Sequence, residues 1–134
     1  DFDLDMARKQ SNENPVYYAQ YAHARMCSVM NKAEGIDATA EYGLISSEKE
    51  MTLLKQMSEF ESVVADAAAT RMPHKMVNFI SRFAQSFHSY YNESKILDPE
   101  KPELSSQRLA LVQACEIVMK NALNSIGVSA PEHM

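Results

Sequence analysis

The sequence predicts an all-α fold, a bundle of five or six helices forming a single domain over residues 1–134. Three observations carry that reading. Gly and Pro are few, at 3 and 5, against 9 Met and many Ala, Leu, Glu and Lys, a balance that favours helix over a β-sandwich. Apolar residues recur at steps of three and four. Helix-capping signals stand at the breaks between the apolar runs. With 134 residues, 46% hydrophobic and 23% charged, the chain is long enough for one real core and too short for two domains.

The elements follow in order. A short helix is expected over Asp3 to Gln10, ended by "SNENP", whose small polar residues favour a turn and whose Pro15 suits the first turn of the next helix. Residues 1–15 thus form a leading helix and loop, residues 16–126 the bundle, and residues 127–134 a tail. The helix from Pro15 should run to Glu34, with Gly35 as its cap. Ser47 with Glu50, and Ser58 with Glu61, have capping-box spacing, so two helices are expected to start there. Met72-Pro73 opens a helix to about Ser94 with Met76, Ile80, Phe83, Phe87 and Tyr91 on one stripe and Tyr90 beside it. After the loop "DPEKPE", Ser105 or Ser106 can cap a last helix that reaches Ile126 and ends at Gly127. Its apolar residues, Leu109, Leu111, Val112, Cys115, Val118, Met119, Ala122 and Leu123, cover two neighbouring sides, which predicts burial over much of its circumference.

Composition also bounds the function. The start, "DFDLDMARKQ", is acidic where a secretory signal is basic, and no apolar run approaches the roughly 20 residues of a membrane span, so a cytoplasmic protein with no membrane contact is expected. Cys27 and Cys115 sit in helical apolar patterns and read as buried free thiols. The formal net charge of -5 opposes polyanion binding overall, but charge is unevenly spread. Glu34 to Asp66 holds eight acids and two lysines, whereas Arg71 to Lys95 holds Arg71, Lys75, Arg82 and Lys95 against Glu93 alone. A single face that meets a polyanion accounts for this spread, and two ordinary solvated faces account for it as well; on the first reading Lys75 and Arg82, with Arg25, contact phosphates or base edges.

The stretch "NENPVYYAQYAHARM" concentrates aromatic surface in a chain without tryptophan. At about 100° per residue, Ala19, Ala22, Met26, Val29 and Ala33 share one face, which reads as core. Tyr18, Tyr21 and Arg25 form a second stripe roughly 80° away. Half-buried tyrosines flanking a core would account for any one of them. Together they offer ring faces for base stacking and a guanidinium for phosphates or base edges. His74 and His88 have no metal-ligand spacing with another His, Cys or acid, and there is no phosphate loop or nucleophile motif, so neither a metal nor a catalytic residue is expected. From the residues alone the chain is a helical binding domain with an aromatic, cationic surface. A helical protein-interaction module docking a partner through a Met- and Tyr-rich face is the competing reading.

The runs "FDLDMARKQSNENPVYYAQYAHARMCSV", "MPHKMVNFISRFAQSFHSYYNESKIL" and "RLALVQACEIVMKNALNSIGVSAPEHM" resemble the C-terminal anticodon-binding domain of arginyl-tRNA synthetases. The letters D-A-L-R that name this domain class do not occur here. The resemblance implies a fragment, non-catalytic alone, of a class I ligase that joins arginine to its tRNA with ATP and Mg²⁺. No cofactor is expected in this chain, and the implied partners are the anticodon stem-loop of an arginine tRNA and the enzyme's own catalytic domain, in a monomer. It further implies that the loop Ser11, Asn12, Glu13, Asn14 and Pro15 packs into the anticodon loop. Tyr18, Tyr21, Arg25, Tyr91, Lys95 one turn after Tyr91, and Met134 would contact anticodon nucleotides, with the central cytosine as the base chiefly read.

Overall fold

The computed structural model describes residues 14–39, 41–70 and 73–134. The expected helix over Asp3 to Gln10, and Ser11, Asn12 and Glu13, lie outside the described residues. Among the described residues there are four helices and no strand: α1 (Pro15–Asn31), α2 (Glu48–Thr70), α3 (Pro73–Glu93) and α4 (Pro102–Ser125). The all-α class stands. The helix count falls because the two helices expected at Ser47 and Ser58 are one. Ser58 turns its hydroxyl back to the Lys55 carbonyl at 2.6 Å instead of capping a new helix.

Local chemistry explains the other ends. The Asn14 side chain accepts a hydrogen bond from Val16 N at 3.1 Å, and Pro15 occupies the first turn of α1. This helix stops at Asn31, short of the expected Glu34. Gly35, at φ 76°, sits instead in a turn closed by Ile36 N and the Ala33 carbonyl. α4 begins earlier than expected, because Pro102 takes its first position. Ser105 lies inside that helix, where its hydroxyl accepts from Asp98 N and donates to Asp98 O, tying the preceding loop down. Gly127, at φ 75°, ends α4 in a Schellman motif: Val128 N bonds the Leu123 carbonyl and Gly127 N that of Asn124.

α3 packs between α1 and α2, and α4 lies along α1. The α3 core face comprises Met76, Phe79, Ile80, Phe83, Ala84, Phe87 and Tyr90. α1 contributes Ala19, Ala22, Met26 and Val29 as expected, and the small alanines let neighbouring helices approach closely. Cys27 and Cys115 are buried free thiols whose pKa values burial pushes up, so both stay protonated at neutral pH.

The capping box at Ser47 forms and does more than cap. Ser47 Oγ accepts from Glu50 N at 3.1 Å, while Glu50 Oε1 accepts from Ser47 N at 3.0 Å. The second carboxylate oxygen accepts from Tyr90 Oη of α3 and from Arg108 Nε of α4, both at 2.8 Å. Glu50 is 1% exposed. Burial drives its pKa up, but the hydrogen bonds from Tyr90 and Ser47 and the charge of Arg108 outweigh burial and hold it below the ordinary 4.5. A depressed carboxylate contributes stability above its unfolded pKa and loses it as pH falls through the folded one. Glu50→Gln should therefore lower unfolding free energy at pH 7 by about 2–4 kcal/mol. In urea titrations, its deficit against the parent chain should shrink as pH drops below 4.5.

Candidate nucleic-acid interface

Tyr21 and Arg25, one turn apart on α1, meet Tyr91 from the end of α3. The Arg25 guanidinium carbon lies 4.8 Å from the Tyr21 ring centroid and 4.3 Å from that of Tyr91, so the cation sits between two aromatic rings. Arg25 Nη2 donates to Tyr21 Oη at 3.0 Å, and Nη1 lies 3.3 Å from His88 Nδ1. A guanidinium only donates, so Nδ1 accepts and the imidazole proton is on Nε2. Burial, aided by the charge of Arg25, lowers the His88 pKa against an opposing pull from the Tyr18 main chain. The ring is thus neutral at pH 7 and tolerates its cationic neighbour.

These groups border a cleft of about 300 Å³ lined by Tyr21, Ala24, Arg25, Ser28, Tyr91, Glu132, His133 and Met134. Tyr91 also borders a second cleft of about 290 Å³, bounded by Ser28, Val29, Lys32, Tyr91, Ser94, Ile96 and Leu97. Tyr91 and Ser28 line both clefts. Volumes near 300 Å³ are at the small end for ligand sites and suit single planar groups.

Of the residues expected at a binding surface, Tyr21, Arg25, Tyr91 and Met134 come together here. Tyr18 does not line the cleft; its ring packs 4.4 Å from that of His88, behind the wall. Asn14 and Pro15 form the start of α1. Lys75 and Arg82 precede Tyr91 by sixteen and nine residues on α3. Helix geometry turns both roughly 160–180° from Tyr91, away from the cleft. Lys95 is not one turn further along α3, because that helix ends at Glu93. Lys95 is exposed in the following loop, with Nζ 3.8 Å from Asp98.

The two tyrosines of α3 separate cleanly. Tyr90 is fully buried and Tyr91 half-buried, so Tyr90 is the core residue and Tyr91 its flank, opposite to the expected order. Two steps of four from Phe83 drift about 80° round the helix, whereas one step of seven drifts only about 20°. Burial and the Glu50 carboxylate push the Tyr90 phenol far up, so it remains a hydrogen-bond donor.

Sequence reasoning missed His88, which backs Tyr18, Tyr21 and Arg25, although its place one turn before Tyr91 was a usable signal. It also missed a cluster beneath the tail. His23, 1% exposed, has Nε2 2.6 Å from Glu116 Oε2 of α4 and Nδ1 2.9 Å from the Pro131 carbonyl. Cys27 Sγ lies 3.9 Å from both ring nitrogens. His23, Cys27 and Glu116 are close enough to be considered as metal ligands. Both nitrogens are already turned to oxygen acceptors, however, and a sulfur equidistant from them lies well beyond the roughly 2.3 Å needed for an ion held by Nε2. The arrangement is a hydrogen-bonded bridge with a thiol packed beside it.

Comparison with known proteins places this geometry in a family. The profile described as "DALR anticodon binding domain" matches residues 19–134. The arginine–tRNA ligase of Bacillus subtilis is 52% identical over 138 residues, and arginine–tRNA ligase 1 of Halalkalibacterium halodurans 48% identical over 138 residues. Each alignment covers 100% of this chain and 25% of the relative, so the chain spans about a quarter of the length of the curated relatives it matches. Among solved structures, the Thermus thermophilus arginyl-tRNA synthetase superposes with a TM-score of 0.80 at 31% identity, covering 100% of this chain and 23% of that one. A putative arginyl tRNA synthetase from Campylobacter jejuni gives 0.80 at 26% identity, covering 99% and 29%. The profile match takes in Tyr21 and Arg25, Tyr91 and the C-terminal tail, and on that match the chain belongs to the DALR anticodon binding domain family.

Proposed function

We propose that this chain is the anticodon-reading domain of an arginine–tRNA ligase and that the cleft between Tyr21, Arg25, Tyr91 and Met134 receives the central anticodon cytosine. The convergence of those four side chains carries the reading. Every arginine codon has a central G, so every arginine anticodon has a central C. Recognition can proceed by drawing that base out of the anticodon stack, with ring or thioether surfaces on its faces and hydrogen bonds to its edge. Tyr91 offers a stacking face, and Met134 a thioether. Arg25 keeps donors beyond the two that engage Tyr21 and His88.

In this reading, ATP and Mg²⁺ serve the parent enzyme's catalytic domain, and the chain itself contributes binding only. The enzyme acts as a cytoplasmic monomer whose own catalytic domain is the second partner. Asn14 and Pro15, with the preceding Ser11, Asn12 and Glu13, meet the anticodon loop, and Tyr18 supports the site by fixing His88. Lys95, exposed in the loop after α3, supplies a phosphate contact near the cleft, whereas Lys75 and Arg82, on the opposite side of α3, supply theirs to RNA that reaches past it.

At low salt, an arginine tRNA transcript should bind this chain more tightly than the same transcript with its central anticodon cytosine changed to guanine. Equal affinities would remove base reading from the function, and salt-insensitive capture of a protein with no tRNA affinity would replace it with the interaction-module reading. Tyr91→Ala and Tyr21→Ala should each weaken binding of the cognate transcript by about 1–3 kcal/mol. Replacing Lys75 and Arg82 with Gln should flatten the dependence of log affinity on log salt by about one unit for each phosphate that is no longer neutralised. An unaltered slope would exclude both residues from the interface.

A further inference from the structure

We infer that Gln20, His23 and Glu116 are positioning residues that clamp the C-terminal tail along α1, and that this clamp makes Glu132, His133 and Met134 a wall of the RNA site. The link to RNA rests on the function proposed above; the clamp itself does not. Residues 128–134 carry no helix or strand. Ordering them costs about 1–2 kcal/mol per residue in backbone entropy, so a defined path needs specific anchors.

Three kinds of anchor are present, in register with α1. Val128 and Ala130 pack against the core. Gln20 Nε2 donates to the Ser129 carbonyl at 2.9 Å and lies 3.3 Å from its hydroxyl. One turn on, His23 Nδ1 lies 2.9 Å from the Pro131 carbonyl. A carbonyl only accepts, so Nδ1 carries a proton, and the short contact between Nε2 and the Glu116 carboxylate holds a second one between them. Glu116 engages the opposite nitrogen at 2.6 Å and thereby fixes the rotation of the ring. The bond to the tail is made by a group 1% exposed, where competing water is excluded, so it is worth more than a surface contact. Three residues past Pro131 the chain ends at Met134, in the cleft with Tyr21, Arg25 and Tyr91. Since Gln20 and His23 share α1 with Tyr21 and Arg25, one rigid helix sets both the clamp and the wall facing the tail.

The test follows the Met134 methyl group in the full chain carrying ¹³C-methyl methionine, assigned by Met134→Leu, alongside binding of the arginine tRNA transcript. His23→Phe keeps a ring but removes both hydrogen bonds. It should move the Met134 resonance to the narrow, unstructured position while the eight other methionines stay dispersed. Affinity should fall about tenfold, as expected when one base face is left uncovered, and His23→Phe should add nothing further in a chain ending at Pro131. An unmoved Met134 resonance overturns the clamp. A moved resonance with unchanged tRNA affinity overturns the assignment of the tail to the RNA site. If every methionine resonance collapses, the substitution has unfolded the chain, and Gln20→Ala and Glu116→Ala are decided by the same displacement of Met134. A displaced resonance in a chain whose parent binds no tRNA leaves the clamp standing and removes the proposed function.

Discussion

The Glu50 carboxylate is the constraint on which the bundle depends. It closes the capping box that starts α2, receives the Tyr90 hydroxyl from α3 and the Arg108 guanidinium from α4, and is withdrawn from water while doing so. A lone buried carboxylate would be costly; four donors around two oxygens make this one favourable. The geometry also reaches the loop after α3, since Arg108 Nη1 donates to the Lys95 carbonyl. α2, α3 and α4 are thereby placed by one group. Tyr90 is pinned in the core, so the residue after it, Tyr91, is delivered to the surface at a fixed angle.

α1 distributes its sides among three tasks. Ala19, Ala22, Met26 and Val29 bury it, Tyr21 and Arg25 form one wall of the cleft, and Gln20 and His23 hold the tail. No side is left as a broad solvated surface. That division explains the sequence of this helix, where small alanines alternate with large polar and aromatic side chains: close packing on one side leaves the others room for function.

Much of this was legible in the sequence because it is local. Helix class, the Ser47–Glu50 capping box, the Pro15 and Pro73 starts, the glycine end at Gly127 and the α1 core face all follow from spacing within a few residues. The failures were long-range or geometric. Ser58 has the letters of a cap without the chain break, and Ser105 commits its hydroxyl to Asp98, seven residues earlier. The places of Tyr90 and Tyr91 on the apolar stripe of α3 were exchanged, because steps of four accumulate drift that a step of seven does not. Of the site, Tyr21 and Arg25 were visible as a stripe, whereas His88, 63 residues from Arg25, and Glu116, 93 from His23, are connected to it only by the fold. Lys75 and Arg82 show the converse: charge counted along a helix does not say which side carries it.

How the cleft would accept a base follows from what already sits between its rings. Arg25 lies over both Tyr21 and Tyr91, so a base stacking within that gap must displace the guanidinium. A cation–π contact is worth about 0.5–2 kcal/mol and a base–aromatic stack about 1–3 kcal/mol, so the exchange is close to balanced for each ring. The balance shifts if the displaced guanidinium finds an acceptor on the base edge or a phosphate, because a charge-assisted hydrogen bond is about twice as strong as a neutral one. A base without a suitably placed acceptor gains the stack and forfeits the cation–π attraction. Selectivity can then arise from Arg25 being a spacer that only the right edge releases, and the ring faces alone need not discriminate between bases at all.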